Sequence, residues 1–173
     1  KEALTEPYVI WEQDADAVTI PMGNYSFNEA EIRFQSGQLR NIWGTTGYRS
    51  GKFYGGNRQQ KTVGIGWRPS SHFQFTLNYT VNDVQLPYGD FDTELIQSRS
   101  DIIFSSTMSW STLIQYDNIT EAVGINTRLH WIPRAGQEAF IVLNHNLQDI
   151  DLNNRFKSTL ADLAIKFNYT FRF

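Results

Sequence analysis

Three histidines, His72, His130 and His145, are the side chains of this 173-residue chain best suited to moving a proton near neutral pH. A nucleophilic site would place one of them within hydrogen-bond reach of a serine and of an acid or amide that orients the ring. His130 keeps the most polar company: on an extended chain it shares a face with Arg128 and Asn126, and Asp117 lies on the preceding extended segment. A His130–Asp117 pair would activate a water. The two fall near opposite ends of their segments, however, so a network of solvating polar side chains is the plainer reading. Asp14, Asp16, Asp83, Asp90 and Asp92 offer oxygen ligands of the kind that hold Ca²⁺, against the plainer reading of solvated loop charge. Asn24-Tyr-Ser, Asn78-Tyr-Thr, Asn118-Ile-Thr and Asn168-Tyr-Thr match glycosylation acceptors, a by-product of alternating polar and aromatic residues. Gly55-Gly56 is a turn, because no GK[ST] follows. No catalytic residue, metal ligand or cofactor is assigned, and the chain is read as a non-enzyme.

The elements that position these residues are set by the stretch Leu160 to Phe173. Ala161, Leu163, Ile165, Phe167, Tyr169, Phe171 and Phe173 form one apolar file; Asp162, Ala164, Lys166, Asn168, Thr170 and Arg172 form the other, mostly polar. A period of two over this length is a β-strand with one oily and one wet face. The strand is long against the usual five or six residues, and long enough for the roughly nine to eleven tilted residues that cross a bilayer. Aromatics make up 14 % of the chain and charged residues only 19 %, yet mean hydropathy is negative. That combination suits strands whose apolar positions alternate with wet ones. No apolar run is long enough for a membrane-spanning helix. The absence of cysteine excludes disulfides and thiolate metal sites. A net charge of −3 gives no reason to expect nucleic acid.

Residues 1–23 read as a loop, linker or partial strand, with one short strand at Tyr8 to Trp11. From residue 24 strand follows strand, at 24–35, 39–54, 59–68, 72–82, 92–104, 108–117, 121–132, 138–147 and 157–173. Alternation assigns the polar Arg99, Asp101, Gln115, Asp117, Asn126, Arg128, His130, Lys166 and Arg172 to an inward, lumen-facing set. It assigns Trp67, Phe73, Trp110, Trp131, Phe167, Tyr169, Phe171 and Phe173 to a lipid-facing set banded as an aromatic belt. The connections Gln148 to Phe156 and Asp83 to Phe91 are long, whereas Pro133 to Gln137 and Ser105 to Thr107 are short. Long outer loops with short periplasmic turns follow the outer-membrane pattern.

The ending at Phe173 resembles the C-terminal signal of bacterial outer-membrane β-barrels, which implies recognition by the barrel-assembly machinery. The runs GKFYGGNRQQ (51–60), WRPSSHFQFTLNY (67–79), QLPYGDF (85–91), LIQYDN (113–118) and RLHWIPRAGQEAFIVLN (128–144) resemble, in combination, a large bacterial family with a C-terminal domain of unknown function. Its members often carry an N-terminal carbohydrate-binding-like domain and are sometimes labelled membrane-associated hydrolases. The resemblance covers roughly residues 20–173.

These readings converge on an all-β, antiparallel, transmembrane β-barrel of nine to ten strands, porin-like, in the outer membrane of a Gram-negative bacterium. Nine is odd where such barrels are even, and the chain opens at Lys1 without a signal segment. The expectation is therefore that residues 24–173 are the C-terminal part of a larger barrel, forming a pore, anchor or conduit. The partners expected are the lipid bilayer, lipopolysaccharide, the assembly machinery, and a missing N-terminal part of the barrel or other protein chains; no nucleic acid is expected. Two alternatives stand: a barrel-embedded or membrane-associated hydrolase, and a soluble β-sandwich or barrel that binds a ligand.

Overall fold

The computed structural model describes residues 1–13, 16–150 and 155–170, and these form thirteen strands and no helix. Four short strands come first: β1 (Glu2–Leu4), β2 (Tyr8–Gln13), β3 (Asp16–Ile20) and β4 (Gly23–Tyr25). Nine longer ones follow: β5 (Asn28–Gln35), β6 (Ile42–Phe53), β7 (Gly56–Ser70), β8 (Phe73–Leu86), β9 (Gly89–Ser105), β10 (Met108–Asp117), β11 (Ala122–Trp131), β12 (Gln137–Gln148) and β13 (Lys157–Tyr169). The nine make one antiparallel sheet in which every neighbour in sequence is a neighbour in space, from β5 at one edge to β13 at the other. β1 pairs with β4 and β2 with β3 as two separate two-stranded sheets.

Residues opposite each other on antiparallel strands point to the same side, so each register row belongs to one face of the sheet. One row runs Trp110, Ile102 and Phe73 on one flank and Leu129, Ile141 and Ile165 on the other. The adjacent row runs Asp101, Ser111 and Arg128. The sheet therefore has an apolar face and a polar face. Side chains on the apolar face stay open to solvent: Ile65 is 51 % exposed, Trp67 46 %, Ile165 71 %. Trp43 lies across β7 on the polar face, over Gly66, where an added Cβ would collide with the indole.

The polar face changes character at one end. Along β8, Gln74, Thr76, Asn78, Thr80 and Asn82 give way to Val84 and Leu86, and on β9 Phe91 stands opposite Val84. The four short strands pack there. Val18, Ile20, Tyr25, Tyr54, Val84, Leu86 and Phe91 form the buried cluster, with Leu4, Ile10, Trp11, Phe27 and Phe53 against it. Trp11 stacks on Phe91 at 5.8 Å. Gly89, at φ +141°, leaves the space that Val18 fills, since a Cβ there would come within 2.9 Å of Val18 Cγ2.

Tyr54 ties this cap to the sheet. Phe53 pairs with Gly56, so Tyr54-Gly55 is a two-residue hairpin turn, and both residues have positive φ (+43° and +84°). This is the sense of turn that matches strand twist. The left-handed region costs a non-glycine residue about 1–2 kcal/mol. Burial offsets it: the Tyr54 ring meets Tyr25, Phe27 and Phe53 edge-on at 5.1, 5.2 and 4.8 Å. Its hydroxyl donates to the Glu2 carboxylate at 2.9 Å.

The expected transmembrane barrel is not formed. The sheet is open, with β5 and β13 each paired on one side only, and Tyr8–Gln13 pairs with Asp16–Ile20 instead of supplying a tenth strand. A sheet in hydrocarbon must close, because each open edge leaves a row of N–H and C=O groups without partners. Without closure there is no lumen, so the pore, anchor or conduit and the reading as part of a larger barrel are corrected to an open sheet. The outer-membrane location, the porin-like character, and the bilayer, lipopolysaccharide, assembly-machinery and missing-barrel partners all require a closed barrel and are corrected with it. Phe171, Arg172 and Phe173, on which the assembly signal depended, lie outside the described residues.

Burial, followed by the hydrogen bond to Glu2 and the charge there, pushes the Tyr54 phenol from an ordinary 10.0 up to about 12. A raised folded-state value means that the fold favours the protonated phenol. Its contribution is complete below pH 10 and is lost as pH rises through about 12. Stability of the wild type should therefore fall across pH 10–12, with a change in Trp11 fluorescence, and Tyr54→Phe should flatten that decline. Ile20→Ala, at the fully buried centre of the cap, should cost about 2–5 kcal/mol in denaturant titration; Ile165→Ala on the open face should cost far less.

Candidate functional site

The polar face has a recess of about 320 Å³ lined by Arg99, Asp101, Ser109, Ser111, Asn126, Arg128 and His130. Three strands supply it. β9 gives Arg99 and Asp101, β10 gives Ser109 and Ser111, and β11 gives Asn126, Arg128 and His130, each set spaced by two. Ser109 sits opposite His130 and Ser111 opposite both Arg128 and Asp101, so the ladder fixes the constellation without help from loops.

The charges are unevenly satisfied. Arg99 grips Asp101 with two nitrogens, Nε to Oδ2 at 2.9 Å and Nη2 to Oδ1 at 3.1 Å, and Ser111 Oγ donates to Asp101 Oδ1 at 2.7 Å. Partial burial pushes the Asp101 carboxyl up, but the hydrogen bonds from Arg99 and Ser111 and the Arg99 charge outweigh it and hold the group below the usual carboxylate value. The same contact holds the Arg99 guanidinium above its ordinary value. Arg128 forms no ion pair with a described residue; its guanidinium lies 4.8 Å from the Phe140 ring centre. His130 stacks on the same ring at 4.4 Å, nearly parallel at 3°. Its Nε2 is buried and makes no hydrogen bond. The recess thus holds two cations against one carboxylate, plus hydroxyl and amide groups and an unmatched imidazole nitrogen.

No proton relay joins these groups. Ser111 gives its hydroxyl proton to Asp101, and nothing bonds to His130 Nε2. Asp117, the other candidate partner of His130, lies at the far end of the β10–β11 hairpin. It accepts from the Thr120 amide at 2.8 Å and from the Thr120 hydroxyl, so it shapes the turn. His72 donates Nδ1–H to the Ile103 carbonyl at 2.7 Å, and His145 Nε2 meets Ser158 Oγ at 3.0 Å. Among the described residues no three His, Cys, Asp or Glu side chains gather as a metal-ligand set. Asp90 accepts from the Leu86 amide at 3.1 Å, and Asp14 lies outside the described residues.

The other residues singled out by sequence are distributed as follows. Gln115 faces Gln97 across β9–β10, and Lys166 shares a row with Phe140 and His130. Trp67 meets Phe73 edge-on at 5.6 Å, Trp110 Nε1 donates to Thr112 Oγ1 at 2.8 Å, and Trp131 and Phe167 both flank Ala139. Tyr169 pairs with Gln137. Sequence reasoning missed Ser109 and Ser111, although they alternate with Trp110 and so fall in the opposite file. The Phe140 ring also lies on the polar face, opposite His130 in the register.

No family model matches the chain, and neither a curated protein nor a solved structure matches it. The resemblance to the large bacterial family with a C-terminal domain of unknown function is corrected accordingly: no comparison supports it, and the barrel it implied is an open sheet.

If Ser111 helps hold Asp101 ionised, Ser111→Ala should move the Asp101 titration midpoint upward, read from its carboxyl carbon by NMR. The Asp101 contribution to stability is complete above the ordinary carboxylate value and lost as pH falls through the depressed one. Acid unfolding of Ser111→Ala should therefore begin at higher pH.

Proposed function

We propose that this chain is a β-sheet ligand-binding module, acting by binding and not by catalysis, whose polar face takes a small hydroxyl-rich anion of the acidic-sugar class. The observation that carries this reading is Arg128: a cation in a recess, backed by an aromatic ring and paired with no carboxylate among the described residues. A guanidinium fork matches a ligand carboxylate in two parallel hydrogen bonds. Asn126, Ser109 and Ser111 supply the neutral donors and acceptors that sugar hydroxyls require. His130 Nε2 gains a partner it lacks, which removes the cost of a buried unsatisfied nitrogen. Arg99 and Asp101 satisfy each other, so the net positive character of the recess comes from Arg128.

Titration with glucuronate, followed by amide chemical shifts, should map to β9–β11, and glucose should bind more weakly. Arg128→Gln should weaken glucuronate about tenfold or more, the scale of a lost charge-assisted hydrogen bond, and leave glucose nearly unchanged. Arg49→Gln, on the same face but paired with Glu31 far from the recess, should leave both unchanged. Equal affinity for the two sugars, or an equal loss in both variants, overturns the reading.

A further inference from the structure

β13 is an edge strand whose outer side is open over its full length, and it is long, with all but one of its thirteen residues exposed. Such an edge is a template for another strand. Its pairing with β12 is regular from Leu160 to Tyr169; the irregularity lies at Asn146/Leu147, beyond that run. The regular stretch LADLAIKFN, from Leu160 to Asn168, has Ala164 at its midpoint.

That stretch is complementary to itself when reversed. Set antiparallel to a second copy about Ala164, Asp162 faces Lys166 of the copy and Lys166 faces its Asp162. On the other face Leu163 meets Ile165 and Ala161 meets Phe167, each twice. Shifting the centre to Leu163 sets Lys166 against Leu160, and shifting it to Ile165 sets Asp162 against Asn168, so neither alternative joins the charges. Within one chain Asp162 and Lys166 are four residues apart on a strand, roughly 13 Å, and neither forms an ion pair with a described residue. The opposite edge differs: on β5, Glu31 is engaged by Arg49 at 2.6 Å and Glu29 by Arg58, both inside the sheet.

We propose that the chain dimerises through β13, antiparallel about Ala164, so that two nine-stranded sheets join edge to edge with their apolar faces on the same side. The occupant of the edge is a second copy, specified by two reciprocal Asp162–Lys166 pairs and a matched apolar file.

The test is sedimentation and disulfide trapping of the full chain. At the axis two Cα atoms lie about 4.5–5.5 Å apart, within the disulfide range, so Ala164→Cys should give a covalent dimer under mild oxidation. Leu160→Cys, whose copies stand roughly 27 Å apart at about 3.4 Å per residue, should not. Asp162→Lys alone should weaken the dimer several-fold, because like charges then face each other, and Asp162→Lys with Lys166→Asp should restore it. Both positions are exposed on the edge, and circular dichroism of each variant checks that the sheet is intact. A wild type that stays monomeric at all concentrations overturns the proposal, as does trapping at Ile32→Cys in preference to Ala164→Cys, which moves the interface to β5. Failure of the double reversal to restore what the single reversal loses overturns it too.

Discussion

A single-layer sheet has no interior, and this constraint governs the whole molecule. Its two faces look outward, so the usual source of stability, apolar surface removed from water, is confined to the place where a second layer exists. Here that place is the cap of β1–β4 on one end of the polar face. Its buried side chains, from Val18 and Ile20 to Val84 and Phe91, make the only buried hydrophobic cluster among the described residues. Tyr54 bears on both layers at once: its backbone turns β6 into β7, and its ring and hydroxyl hold Tyr25 and Glu2. A left-handed tyrosine is tolerable because so much depends on where its ring goes. Away from the cap the sheet is held by its ladder and by cross-strand pairs, such as Thr112 with Thr127 and Gln60 with Asn82.

The same constraint frees the rest of the polar face for chemistry. Residues that would be costly in a core, such as Arg99, Asp101 and Arg128, stand in line on adjacent strands because water still reaches one side of them. Rigid strands place them more tightly than loops would. The Arg99–Asp101–Ser111 bonds fix one wall of the recess, and the Phe140 ring holds Arg128 and His130 on the other. The two edges are unequal in the same physical sense: Glu29 and Glu31 on β5 are paired within the sheet, whereas Asp162 and Lys166 on β13 form no ion pair with a described residue.

Much of this was legible in the sequence, and the limits have physical causes. Alternation located the long strands well; 108–117 coincides with β10, and 157–173 begins where β13 begins. Two files per strand are a local property, set by side-chain period, and so Arg128 and Trp131 fall on opposite faces as their spacing says. Closure is not local. It depends on strand number, stagger and tilt together, none of which a period of two encodes. The cap was missed for a related reason: β1, β3 and β4 are three to five residues long, too short to show a period. Their signal lay elsewhere, in the change from Asn82 to Val84 and Leu86 on one file of β8, which marks where a cover must sit. Gly89 was similarly silent, because its meaning depends on Val18, some seventy residues away in the chain.

That separation orders the events of synthesis. The sheet is a meander in which each strand pairs with the one before it, so β5–β13 can zip from one hairpin to the next as the chain leaves the ribosome, with little loop entropy to overcome at each step. The cap cannot. Val18 and Ile20 emerge before β8 and β9, the strands that carry their platform of Val84, Leu86 and Phe91. At about 5–20 residues per second, Val18 and Ile20 spend several seconds with nowhere to dock. The strands of the cap are made before β8 and β9 and seated only after half the sheet exists, which makes that interval the one in which a chaperone has most to offer.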